Sequence, residues 1–210
     1  MEEKILEKKN DNEDFFVGNY NLIYIVIKIL KKNYNLYIRS FGKLVKIKLK
    51  TPKLKIPFGV EDYMNQKILN IEFTKLESNN QVYNFYNTIK NLDSFFTKMS
   101  SYSEDNKKID LKFVSPDFID KIKGKTYMSC IKERPKPFDP LLRTYLKQVK
   151  NNILTKFLDN NKNLVFYNEI KNKYGNFILE VSGLWIREDK FGLIINVSTG
   201  ILHELNNNTW

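Results

Sequence analysis

A chain of 210 residues with 42% hydrophobic content is long enough for one domain with a real core. Its 35 Lys+Arg against 24 Asp+Glu give a net charge of +11, which favours a polyanionic partner: nucleic acid first, an acidic membrane surface second. One cysteine excludes an intrachain disulfide and fits a reducing, intracellular setting, and one histidine excludes a metal cage of several His and Cys ligands and leaves no Ser-His-Asp or Cys-His pair.

In chain order, residues 1–18 read as a flexible charged arm, with six acids against three lysines in the first fifteen positions. That charge is unlike a signal peptide. Tyr20–Leu30 reads as a first strand; its apolar run is too short to span a bilayer and carries Lys28. Asn33 marks a turn, and Leu36–Arg39 a short second pairing. Lys43–Lys50 then alternates strictly, with Val45, Ile47 and Leu49 on one face and Lys46, Lys48 and Lys50 on the other. Period two means a strand with one wet, basic side. After Pro52 the alternation resumes with Lys53 and Lys55, and Pro57-Phe58-Gly59 is a turn presenting an aromatic. Lys67–Leu76 is a further strand.

The clearest helix covers 81–99, where Val82, Phe85, Tyr86, Ile89, Leu92, Phe96 and Met99 form one apolar stripe behind a cap in Ser78-Asn79-Asn80. Ile109–Val114 is a short strand ended by Ser115-Pro116-Asp117, and Gly124–Ile131 another. Three prolines make 132–140 an extended connection. Residues 141–158 fit a helix by the spacing of Leu142, Tyr145, Val149, Ile153 and Phe157. They fit a strand by the alternation of Arg143, Tyr145 and Lys147. After a turn at 159–163, the hairpin 176–202 organises the rest. Its two apolar strands flank the polar tip Arg187–Lys190, and Gly183 and Gly192 mark bends suited to a barrel. The tail 205–210 is short and polar.

No P-loop and no GxGxxG occurs, and the carboxylates Asp93, Asp110, Asp117, Asp120 and Asp139 lack paired spacing. The chain reads as non-enzymatic, without metal or cofactor. Lysine-lined strand faces beside aromatics are what single-stranded nucleic acid needs, since phosphates want cations and unpaired bases want flat faces. The candidates are the stripe Lys46, Lys48, Lys50, Lys53 and Lys55; Phe58 and Tyr63; the cluster Lys125, Tyr127, Lys132 and Arg134; Arg143, Tyr145 and Lys147; and Trp185 with Arg187. The same lysines would also serve a solvated sheet face that resists edge aggregation. The aromatics at 58, 63 and 185 would serve as core anchors.

Residues 51–63, TPKLKIPFGVEDY, and 183–197, GLWIREDKFGLIINV, resemble the single-stranded-DNA-binding proteins of large nucleocytoplasmic DNA viruses. Those are similar to the replication single-strand binders of short-tailed phages. The resemblance rests on Pro57-Phe58-Gly59, on the helix ending near Leu92-Asp93, and on Gly183, Trp185, Phe191 and Gly192, over about residues 45–200. It implies a mainly β chain with an inserted helix: an OB-fold-like antiparallel barrel over 19–204 with extended loops, and a strand at 141–147. It also implies sequence-tolerant binding of single-stranded DNA, or of RNA, in viral replication, recombination or repair. Replication proteins, or a second copy in a homodimer, would be further partners. No membrane role is implied, and a viral setting would mean host cytoplasm or viral factory. Phage relatives end in an acidic tail, a feature that the terminal LNNNTW of this sequence does not share. The alternative is a structural or scaffold protein that uses the barrel to dock other proteins.

Overall fold

The structure is a computed structural model that describes residues 15–16, 25–30, 33–40, 43–100, 116–150 and 152–203. Side chains are described from Lys46 onward, those of Pro116 and Asp117 excepted. Most of the N-terminal arm, the expected strand Ile109–Val114, Asp110 and the tail with Trp210 lie outside the described residues.

The elements are strands β1 (Phe15–Phe16), β2 (Ile25–Leu30), β3 (Asn33–Ser40), β4 (Lys43–Lys50), β5 (Leu54–Lys55), β6 (Val60–Tyr63) and β7 (Gln66–Glu72). Helices α1 (Asn80–Ser100) and α2 (Pro116–Ile122) follow. Then come β8 (Thr126–Met128), β9 (Ile131–Lys132), β10 (Leu141–Leu146), β11 (Gln148–Val149), β12 (Asn152–Ile153), β13 (Lys156–Leu158) and β14 (Leu164–Val165). A 3-10 turn at Tyr167–Glu169 leads to the long pair β15 (Tyr174–Ile186) and β16 (Lys190–His203).

β4 and β5 are one run broken at Thr51-Pro52. The break is bridged, because Thr51 donates its N–H to the Phe177 carbonyl (2.9 Å) while its hydroxyl accepts from the Phe177 N–H (2.8 Å). Both halves pair with β15. From there the ladder runs β5 to β7, β7 to β10, β10 to β16, and β16 back to β15. Five runs thus close on themselves in the order first, second, third, fifth, fourth, the pairing of an OB-like barrel. The fold is mainly β, as expected, but the barrel is mixed and not purely antiparallel. β10 lies parallel to β16, with Tyr145 opposite Asn196. A long excursion between them, with a third barrel strand running the same way as the fifth, forces that pair to be parallel.

The period-two pattern decides what lines the barrel. Ile47, Leu49, Leu69, Ile71, Leu142, Phe177, Leu179, Ile195 and Val197 are all buried. Every residue of the expected helical stripe is buried too. Asn79 caps α1, its side-chain oxygen accepting from the N–H groups of Gln81 (3.0 Å) and Val82 (3.2 Å). α1 packs its stripe onto the core where β7 ends, with Phe73 against Phe85 and edge-on to Tyr86.

Several expectations shift. Asn33 stands in the ladder opposite Leu30 and is not a turn residue. Phe15 and Phe16 pair with Ile47 and Lys48, so the sheet reaches into the stretch read as an arm. Pro116 opens α2, a position where its missing N–H is harmless. The expected strand 124–131 is split into β8 and β9, because the Ser129 hydroxyl takes the Ile131 N–H and breaks the ladder. The described residues of 141–158 contain no helix; β10 takes Leu141–Leu146, and β11, β12 and β13 follow it. His203 is half-buried, its ring nitrogens on Asn160 (3.0 Å) and Asn176 (2.7 Å).

Candidate nucleic-acid interface

The candidate site lies on the outer face of β10, between two hairpin tips. β6 and β7 form a hairpin whose turn residues Met64 and Asn65 both have positive φ (48° and 62°), the geometry of a tight two-residue hairpin loop. That hairpin stands on one side of β10. On the other, β15 and β16 turn at 187–190, where Arg187 N–H bonds the Lys190 carbonyl (2.8 Å). The two tips meet, since the Arg187 guanidinium donates to the Met64 sulfur at 2.9 Å.

Between them lie two adjoining hollows of about 310 and 270 Å3 that share Tyr63, Arg143, Tyr145, Trp185 and Arg187. Arg143 sits over the Tyr63 ring at 5.4 Å and Arg187 over the Trp185 ring at 5.7 Å. Met128, Ser129 and Cys130 line the larger hollow. Burial pushes the Tyr145 phenol above its usual range, although the charges of Arg143 and Arg187 pull it down. Trp185 lies flat because Gly192 is opposite it; a Cβ there would come within 2.7 Å of the indole. Trp185 is neither a core anchor nor fully exposed.

The lysines divide. Lys46 and Lys147 converge on Glu180, at 2.9 and 3.4 Å, and Glu180 is only 5% exposed. Burial raises the carboxyl's pKa, but the hydrogen bonds and charges of the two lysines outweigh it, and the group is held below its ordinary value. Glu180 stands opposite both Lys48 and Asn196, and Asn196 opposite Tyr145. One transverse row on the outer face therefore runs from the lysine stripe to the aromatic groove. Two clusters that are separate in the sequence are joined through an acid that sequence reasoning passed over. Its signal was present: Glu180 is the one charge in the apolar run 177–185.

Other candidates lie elsewhere or are engaged. Lys53 sits over Tyr174 at 5.7 Å and Lys55 stands opposite Tyr174, eleven residues along β15 from Trp185. The stripe is thus not one continuous track with the groove. Phe58 is exposed, before Gly59, whose positive φ (77°) turns the chain against Lys171. Lys125 bonds the Glu188 carbonyl and props the 187–190 tip. The Tyr127 ring packs on Phe96 and Phe191 and its hydroxyl bonds Asp93, so it is held within the core contact between α1 and β8. Burial pushes the Tyr127 and Cys130 groups far up, consistent with neutral packing roles. Asp93 also accepts from the Ser129 hydroxyl and lies 3.3 Å from the Cys130 sulfur. Lys132 is exposed beside β10, and Arg134 pairs with Glu72. Lys48 and Lys50 point outward with Lys46.

Among the described residues no group of three His, Cys, Asp or Glu is placed to hold a metal, and no helix is long and apolar enough to cross a membrane. No protein-family model matches the chain, and no curated protein matches it significantly. Among solved structures it is similar to the single-stranded DNA-binding protein from bacteriophage Enc34, at 11% identity over 85% of this chain and 88% of that one, with a TM-score of 0.43. The C-terminal truncation of that phage protein is similar at 8% identity over 87% of this chain and 95% of that one, with a TM-score of 0.44.

Proposed function

We propose that the protein is a non-enzymatic, sequence-tolerant binder of single-stranded DNA, acting in replication, recombination or repair. The observation that carries this is the groove between the two hairpin tips. It offers two rings, each with an arginine over it, on the barrel face and loops where OB-like barrels present nucleic-acid sites. Bases would stack on Tyr63 and Trp185, with Arg143 and Arg187 shifting from ring to phosphate. Tyr145 would form the floor. The surplus of cations would attract the polyanion.

Fluorescence anisotropy with a labelled oligo-dT, and with a duplex of equal length, tests this. The single strand should bind more tightly, and affinity should fall steeply with salt. Trp185→Ala and Tyr63→Ala should each weaken binding roughly 5- to 150-fold, the worth of one stacked base. Equal affinity for duplex and single strand would remove the stacking half of the proposal. No binding at low salt would favour the protein-docking alternative.

A further inference from the structure

Arginine occurs only four times in this lysine-rich chain, at 39, 134, 143 and 187. Two of the four cover the groove rings. A third, Arg134, lies 5.3 Å from the ring centroid of Phe138, on the proline-rich connection. Arginine's planar head suits ring stacking better than a lysine ammonium does, so its placement is informative. Phe138 is 59% exposed, so its ring is open to a ligand.

The connection holding that ring is pinned from three directions. Arg134 pairs with Glu72 on β7, and its Nε donates to the Asp139 carbonyl at 2.6 Å. The Asp139 carboxylate accepts the Lys75 N–H at 2.8 Å. Phe138 N–H bonds the Pro135 carbonyl at 3.1 Å. An exposed ring on a fixed loop loses little freedom when a ligand covers it.

Its place on the barrel follows from register. Glu72 stands opposite Leu141, and Leu141 opposite Lys132. Two residues on, Arg143 stands opposite Asn70. Residues two apart on a strand share a face and are about 6.6 Å apart. The Glu72–Arg134–Phe138 unit therefore continues the same outer face directly beyond Arg143, with exposed Lys132 beside it.

We infer that Phe138 is a third base-stacking station, extending the groove past Arg143 toward the proline-rich connection, with Lys132 as its phosphate contact. This rests on the proposed single-strand binding. It adds that the footprint runs from Trp185 through Tyr63 to Phe138 and outreaches the two hollows.

Oligo-dT of about 4 and about 16 nucleotides, the limits for one OB-type site, separates the two ideas. Phe138→Ala should leave the short oligomer's affinity unchanged and weaken the long one's at least 5-fold. Phe138→Leu should lose as much, and Phe138→Trp should retain binding, since the ring is what counts. If Phe138→Ala binds the long oligomer like the wild type while Trp185→Ala weakens both lengths, the extension is wrong and the groove stands. If Phe138→Leu matches the wild type, the ring does not stack. If Trp185→Ala changes neither length, the groove itself is misread and the third station falls with it. Thermal melts of the Phe138 variants should match the wild type, because Phe138 fills no core space.

Discussion

Glu180→Gln should tighten single-strand binding, although it removes a well-made ion cluster. The carboxylate holds the ammonium groups of Lys46 and Lys147 at 2.9 and 3.4 Å, on the row that links the lysine stripe to Tyr145. Both lysines remain partly open to solvent, at 54% and 39% side-chain exposure, so phosphate could reach them from outside. In the native protein any phosphate there must compete with Glu180. Glutamine keeps the shape and removes the competitor. Each ammonium released to a phosphate adds about 0.7 to the slope of log affinity against log salt for a single strand. Two would steepen it by up to about 1.4, or up to about 25-fold in affinity at 0.1 M salt, vanishing near 1 M.

The same change should lower stability by only about 1 kcal/mol, because both cations are partly solvated and the pairs are screened. Anisotropy titrations with oligo-dT across a salt series would read both the slope and the affinity. Adding Lys46→Gln and Lys147→Gln to the variant should return the slope to the native value or below. A slope that stays native in Glu180→Gln, with a normal melt, would show that these lysines do not meet the ligand and that the row is structural only.

Two other changes test the frame of the site. Gly192→Ala places a methyl within 2.7 Å of the Trp185 ring and 2.9 Å of the Met128 carbonyl, so the indole must lift or β8 must move; we expect a loss of about 1–3 kcal/mol in urea melts and a shifted Trp185 emission in a Trp210→Phe background. Burial, then the charge of Lys53, holds His203 below its ordinary value of 6.5, so the folded state favours the neutral ring; its contribution is present above that pH and is lost as pH falls through the lower folded value, and His203→Gln should flatten this part of a urea-midpoint profile, whereas a native midpoint that rises on acidification would reverse the sign.

Local periodicity carried most of the fold. The stripe of α1, the alternation of β4 and the long closing hairpin all sit where their residues place them, because each is decided by which face meets the core. The parallel contact of β10 with β16 was not visible, since register between distant strands leaves no local trace. For the same reason local spacing in 141–158 fits a helix as well as a strand. In the site, Arg143, Tyr145, Trp185, Arg187 and Tyr63 converge from three different strands and a tip. Tyr127 and Arg134 had the right composition nearby but the wrong neighbours: Asp93 lies 34 residues from one and Glu72 62 residues from the other. A basic–aromatic cluster in sequence cannot tell whether a buried carboxylate elsewhere will claim it.

The core and the proposed interface cannot be varied independently, because the same strands write both. Arg143 stands between buried Leu142 and Thr144, and Tyr145 between Thr144 and Leu146. Glu180 stands between Leu179 and Val181, and Ile194 between Leu193 and Ile195. Each outward side chain is therefore held in place by two inward neighbours. A one-residue slip of β10 would turn Leu142, Thr144 and Leu146 outward and bury an arginine and a tyrosine in their place. Thr144 helps prevent this, its hydroxyl bonding the Leu69 carbonyl at 2.7 Å from inside the barrel. The penalty for burying Arg143 without a partner then fixes the register from the outside as firmly as the leucines fix it from within. The part of the groove on β10 and β15, with Arg143, Tyr145 and Trp185, is carried by the barrel strands themselves. Its geometry is as stable as the barrel, and ligand chemistry can be tuned only at outward positions such as 180, 143 and 185.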